Sequence, residues 1–221
     1  MTKQNVGFIF DMNGTMIDDM AYHATGWHNI ITNNLGATIT KNDVLKQMYG
    51  KNCELLIRIF GSERFTQAEM DFWSMEKEKR YQTAYLPHLQ LIDGLQTFFD
   101  AAYQAQIPMA IGSAAIPFNI NFVVTNLQLQ KYFKAIVSAD DVQVSKPHPE
   151  TFLKAAQLMG VAPENCIVFE DAPKGVEAAS NAGMPCVVIT TMHQPEEFSQ
   201  YNNIIRFVTN YTQLRIEDLV Q

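Results

Sequence analysis

VGFIFDMNGT, residues 6–15, sets the reading of the chain. Five apolar residues stop at Asp11, and an Asn-Gly pair comes soon after. A run this short and unbroken suits a strand covered on both faces better than an amphipathic helix. The junction at its end has two readings. Asn-Gly between apolar residues is a strong hairpin signal. Alternatively, Asp11 begins a loop at the carboxyl end of a parallel strand, where open α/β sheets bind ligands. An aspartate there can attack phosphorus and carry it as an aspartyl-phosphate.

Similar apolar runs recur at 107–111, 135–137, 166–169 and 186–189. Helical patterns lie among them. Residues 95–104 follow Asp93-Gly94. Residues 149–159 open on Pro149 and stop at Gly160, the expected asymmetry of helix ends, and 175–181 stop near Gly183. Alternating strand and helix predicts an α/β fold with a doubly wound parallel sheet. Residues 18–87 differ, with helical periodicity and no strand. They read as an all-helical cap inserted after the first strand, leaving 1–17 and 88–221 as the core. Within the cap, MEKEKR at 75–80 reads as a solvated helix face.

Lys and Arg total 16 against 23 Asp and Glu, a formal charge of −7. That removes the basic face a nucleic-acid binder needs. It leaves room for a small anionic ligand, because a few placed cations and a metal reverse the field locally. The 6–10 run is too short for a signal peptide, and no stretch approaches a membrane span, so no membrane partner is expected. Cys53, Cys166 and Cys186 show no C-x-x-C spacing. They predict reduced thiols in a cytoplasmic protein rather than disulfides or zinc. A monomer is the expected state.

Three more segments carry candidate chemistry. Ser113 and Ala114 follow the second apolar run. The hydroxyl and nearby amides can hold phosphate oxygens, or Ser113 is a turn residue. Lys146 precedes Pro147-His148-Pro149, which stiffen its backbone. Its ammonium can offset charge on Asp11 and a phosphoryl group, or simply be solvated. Glu170 and Asp171 end the fourth run. They can hold a hard cation, or cap the next helix.

Asp11, Ser113, Lys146 and the Glu170-Asp171 pair, in that order at or near strand ends, resemble the four motifs of the haloacid dehalogenase superfamily. The resemblance covers the core almost end to end. The insert after the first motif is similar to the helical cap of the subgroup that includes beta-phosphoglucomutase and small phosphatases. The resemblance implies a magnesium-dependent phosphatase acting on a small phosphorylated metabolite. Asp11 would be nucleophile and metal ligand, and Asn13 would offer its backbone carbonyl to the metal. Asp171 would bind the metal too, with Glu170 joining directly or through water. Ser113 and the Ala114 amide would hold the phosphoryl group, and Lys146 would neutralise charge.

Asn13 departs from the family pattern, which usually has a second Asp that protonates the leaving oxygen and then activates water. An amide hydrogen-bonds but exchanges no proton, and losing such help costs about 10²–10⁴-fold. The substrate then has a good leaving group or supplies the proton transfer, or the chain is slow, or the labile Asn-Gly pair deamidates to an acid. In the cap, the resemblance offers substrate contacts from Lys51, in the segment Tyr49-Gly50-Lys51-Asn52, and from His23, four residues before Trp27, which otherwise reads as a satisfied surface or core histidine. Trp27 reads as packing. That segment lacks the arginine expected of the mutases. Two other functions stay open: a beta-phosphoglucomutase-like mutase, and a catalytically weakened phospho-ligand binding protein.

Overall fold

The computed structural model describes residues 6–220; residues 1–5 and 221, included in the expected core range, lie outside them. The chain divides into two compact units. One runs to Asp18 and resumes at Gln90, and the other is Asp19–Leu89.

The first unit holds six strands: β1 (Gly7–Phe10), β2 (Met109–Gly112), β3 (Phe133–Val137), β4 (Cys166–Glu170), β5 (Cys186–Ile189) and β6 (Ile204–Val208). Their order is β3-β2-β1-β4-β5-β6, and every pairing is parallel. The sheet is the expected doubly wound one. It grows from β1 through β2 to β3, then resumes on the other side of β1 at β4. That reversal makes a topological switch point between β1 and β4, where such sheets open a crevice.

β1 is apolar without alternation because both its faces are covered. Ile9 packs into a cluster with Ala110, Phe152, Ala155 and Val168. Phe8 and Phe10 point the other way, into an aromatic layer. There Phe10 stacks on Phe169 at 4.3 Å and meets Phe99 edge-on at 5.1 Å. Each such buried ring contributes about 1.5–3 kcal/mol. The covering helices supply matching stripes. In α5 (Leu95–Gln104) the buried residues are Leu95, Phe98, Phe99 and Ala102, one face at helical spacing. α7 (Glu150–Met159) covers the opposite face through Phe152, Ala155, Ala156 and Met159. α6 (Pro117–Asn126) and α8 (Pro173–Asn181) complete this unit's α-helices among the described residues.

Two elements have no clear mark in the sequence. β6 is an edge strand whose Ile205, Arg206 and Phe207 are exposed, so it gives no unbroken apolar run. α6 mixes Asn with β-branched residues and shows no amphipathic pattern. The Asn-Gly turn, with its hairpin signal, joins no antiparallel pair, since β1 is flanked by β2 and β4.

The second unit is helical: α1 (Met20–Asn29), α2 (Lys41–Gln47), α3 (Asn52–Phe60) and α4 (Gln67–Tyr85). It has its own core of Trp27, Ile30, Ile31, Val44, Leu55, Leu56 and Met70, so Trp27 is packing. Thr66 and Glu69 close a reciprocal capping box at the start of α4. The 75–80 segment is not the solvated face expected from its charge. Lys77 and Glu78 are buried at 3 % exposure each, while Lys79 and Arg80 are exposed. The two buried charges pair with each other and with polar groups of α1 and α3.

Candidate active site

Strand register assembles the site. Phe10 pairs with Ile111 of β2 and with Phe169 of β4. One residue further, Asp11, Gly112 and Glu170 therefore end three adjacent central strands at the same level. The Asp11 amide donates to the Phe169 carbonyl at 2.9 Å and continues the ladder.

Lys146 binds this row together. Its Nζ donates to Asp11 Oδ1 at 2.7 Å and to Glu170 Oε1 at 2.8 Å, and lies 4.5 Å from the Phe152 ring centre. Burial opposes the ammonium, but Asp11 and Glu170 more than offset it, so its pKa is held above the usual lysine range. The Lys146–Pro147 peptide is cis. Glu170 is committed elsewhere: its Oε2 accepts from the Asp171 and Ala172 amides, both at 2.8 Å. With both oxygens engaged, it anchors Lys146 and the end of β4. Gly175 makes room for it, since a methyl group there would sit 1.7 Å from Glu170 Oε1.

Asp171 is buried and accepts from Thr15 Oγ1 at 3.1 Å. Burial, then the charges of Glu170 and Asp11, push its carboxyl well above the ordinary carboxylate range, against the Thr15 hydrogen bond and Lys146. Three carboxylates thus share one ammonium. A divalent cation reverses that balance. Magnesium takes one or two carboxylates and completes its shell with carbonyls, water and phosphate. Asp11, Asp171 and a backbone carbonyl fit that donor set. Among the described residues no three His, Cys, Asp or Glu side chains form an all-protein cage, which such a water-rich site does not require.

The loop after β1 is shaped for Asp171. Gly14 has φ +77, and a methyl group on it would sit 2.1 Å from Asp171 Oδ2. Only glycine meets both demands. The Gly14 amide donates to the Ile17 carbonyl at 2.7 Å, closing the turn that carries Asn13. Two distant side chains hold the loop from behind. Thr191 Oγ1 donates to the Gly14 carbonyl at 2.6 Å, and Tyr211 Oη to the Thr15 carbonyl at 3.1 Å. Thr15, Thr191 and Tyr211 are site residues that the sequence motifs do not single out. Thr15 lies beside a recognised motif, but nothing local marks Tyr211, 196 residues away.

Ser113 is buried one residue beyond β2, its amide bonded to the Val137 carbonyl at 2.9 Å. Its Oγ accepts from the Ala115 amide at 3.1 Å, so the turn role is realised. Ala114, half-buried, lies within that turn.

His23 and Lys51 lie in the helical unit. His23 is buried, with both ring nitrogens engaged there. Lys77 Nζ donates to Nδ1 at 2.6 Å, and Nε2 donates to Asp19 Oδ2 at 3.2 Å, which fixes the Nε2–H tautomer. Tyr81 stacks on the ring at 3.8 Å and donates to Asp19 Oδ2 at 2.5 Å. Burial, then Asp19, raises the Tyr81 phenol above its usual range and keeps it a donor. His23 thus takes a place inside the unit's own polar cluster. Lys51 stands just before α3, its amide capped by Glu54 Oε2 at 3.0 Å.

Comparison with known proteins agrees with this fold. Residues 8–189 match the family model of the haloacid dehalogenase-like hydrolases. The fructose-1-phosphate phosphatase of Escherichia coli is 33% identical over 193 residues, covering 85% of this chain and 97% of that protein. Among solved structures, a family IA hydrolase from Entamoeba histolytica superposes with TM-score 0.86 at 27% identity, covering 97% of both chains. A beta-phosphoglucomutase from Clostridium difficile gives 0.83 at 26% identity, covering 96% of this chain and 94% of that one.

Proposed function

The chain belongs to the haloacid dehalogenase-like hydrolases, and from that premise we propose that it is a magnesium-dependent phosphatase of a small phosphorylated metabolite, working through an aspartyl-phosphate on Asp11. The observation that carries this reading is the buried row of Asp11, Lys146 and Glu170 beside Asp171 at the switch point of the sheet.

Asp11, Asp171 and the Asn13 carbonyl, with Glu170 directly or through water, would hold magnesium, which would supply charge neutralisation between an anionic nucleophile and an anionic substrate. An Asp11 carboxylate oxygen attacks phosphorus, the bond from phosphorus to the substrate oxygen breaks, and that oxygen leaves with the electron pair. Lys146 offsets the charge gathering on Asp11 and the transferring group. Ser113 and the Ala114 amide hold the phosphoryl oxygens. Water then attacks phosphorus, releasing phosphate and restoring the Asp11 carboxylate.

Asn13 donates or accepts hydrogen bonds in these steps and moves no proton. Its Asn-Gly bond is poorly placed to deamidate, because the Gly14 nitrogen that would attack the side chain is tied to Ile17. The leaving group therefore departs without help from residue 13, or takes its proton from the substrate or water. In the helical unit, Lys51 contributes a cation for an anionic group of the substrate. The phosphatase reading is preferred to the mutase one because the relative at 33% identity is a phosphatase and the Tyr49–Asn52 segment lacks an arginine.

The test is phosphate release from sugar phosphates, acyl phosphates and pyrophosphate, with magnesium and with chelator. Magnesium-dependent release from a narrow group is expected. Isomerised sugar phosphate without free phosphate would favour the mutase, and no turnover of any compound would favour a phospho-ligand binder.

A further inference from the structure

Lys51 sits in a turn that is held from both sides, and neither holder takes part in the chemistry at Asp11. On one side is Arg58 of α3. A guanidinium NH2 group donates to the carbonyls of Gln47 and Tyr49, both at 2.6 Å. The same guanidinium lies 3.8 Å from the Tyr49 ring centre. One planar group thus fixes two carbonyls and a side chain of the stretch just before Lys51. Lysine cannot copy this, having a point charge in place of the fork.

On the other side is Asn52, whose Nδ2 donates to Glu78 Oε1 at 2.7 Å. Glu78 is no loose surface acid. It is buried, and the same oxygen accepts from Lys77 Nζ at 2.9 Å. Lys77 in turn donates to His23, and His23 to Asp19, the residue at which the helical unit begins. The far end of the turn is therefore tied to a buried chain of polar groups spanning α3, α4 and α1.

We propose that Arg58 and Asn52, the latter through Glu78, are positioning residues that hold the Lys51 turn in one conformation for an anionic group of the substrate. The proposal rests on the reading of Lys51 as a substrate-binding cation. A turn with an exposed tyrosine at 44 % and a cation at its apex is otherwise a segment that opens easily. Holding it beforehand removes an ordering cost from substrate binding. The paired bonds of Arg58 and the buried acceptor for Asn52 have that effect whether or not ligand is present.

The experiment compares wild type, Arg58→Lys, Asn52→Ala and the double variant. Asn52→Ala leaves Glu78 paired with Lys77, so the folded unit is retained. Amide hydrogen exchange of peptides spanning residues 47–55 is read by mass spectrometry without any substrate. Each single variant is expected to speed exchange there about tenfold, with peptides of α1 unchanged. Steady-state kinetics on the best substrate of the phosphate-release panel should then show KM raised about tenfold with kcat kept. Unchanged exchange in all variants overturns the positioning role. Faster exchange with unchanged KM overturns the substrate half of the proposal and, with it, the role of Lys51. The exchange measurement needs no turnover, so failure of the phosphatase reading is told apart from failure of the clamp.

Discussion

The molecule buries two polar clusters, and they are built on different principles. In the helical unit, Lys77 is set between His23 and Glu78, while Asp19 accepts hydrogen bonds from both His23 and Tyr81. Charge there is met by donors from the same unit. In the sheet unit, Asp11 and Glu170 share Lys146 beside Asp171, whose carboxyl is pushed toward protonation by burial and then by their charges. The first cluster resembles a structural joint. The second, on the proposed function, would be stabilised by an added cation. Buried charge alone does not mark a reactive site; the two clusters differ in how many carboxylates gather about one ammonium, two in the first and three in the second.

The strongest challenge to that contrast is Asp11→Ala. It should lower magnesium-dependent phosphate release on the order of 10⁴-fold or more, measured under single-turnover conditions with excess enzyme. A variant that keeps most of its activity would place the nucleophile elsewhere. Asn13→Asp comes next. If residue 13 faces the leaving oxygen, an acid there should raise turnover of alkyl phosphates by about 10²–10⁴-fold. Acyl phosphates, which leave without a proton, should respond much less, and an equal response in both classes would sink this account of Asn13.

On the helical side, Tyr81→Phe removes a buried hydrogen bond to a carboxylate. Chemical denaturation should show a loss of about 1.5–3 kcal/mol, with kcat near wild type. A neutral change in stability would mean that the joint contributes little. Asp171→Asn is the smallest and most diagnostic change. In chelator at neutral pH it should raise Tm by about 2–4 °C, the shift that about 1 kcal/mol gives in a chain of this size. Magnesium should then add nothing to the variant while stabilising the wild type. The sign comes from the raised pKa. A carboxyl whose pKa is higher in the fold than its ordinary 3.8 favours folding when protonated, below that value, and loses this as pH rises through the raised one. Asn imitates the protonated form, so its advantage should fade on acidification. A destabilised Asp171→Asn protein at neutral pH would show that the cluster is not over-charged.

Most of the sheet was legible because its central strands are buried on both faces and their apolar runs end in chemistry-bearing residues. β6 was not, because a half-exposed edge strand with Arg206 in its middle carries no such signature. The site motifs were legible for the same reason as the strands: each sits at or near the point where an apolar run stops. The hydrogen-bond partners of Glu170 and His23 were not, because composition names a residue and leaves open which of its atoms are already engaged. The charged run at 75–80 misled for a related reason. A Lys-Glu pair looks alike in a sequence whether it meets water or buried partners, and only the fold brings Asn52 and His23 against it.

The strand order also has a meaning in time. β1 precedes the other five strands of the sheet in the chain and sits in its middle, yet Gly7 pairs with Cys166. At about 5–20 residues per second, many seconds separate the emergence of the two from a ribosome. The helical unit, closed within Asp19–Leu89, has all its partners long before then. Its folding can run ahead while Phe8, Ile9 and Phe10 wait without a complete sheet, an apolar segment exposed to solvent or to a chaperone. Inserting the helices after β1 thus lengthens the delay before the first strand meets β4. Chains cut short before β4 should therefore aggregate more readily than the finished protein.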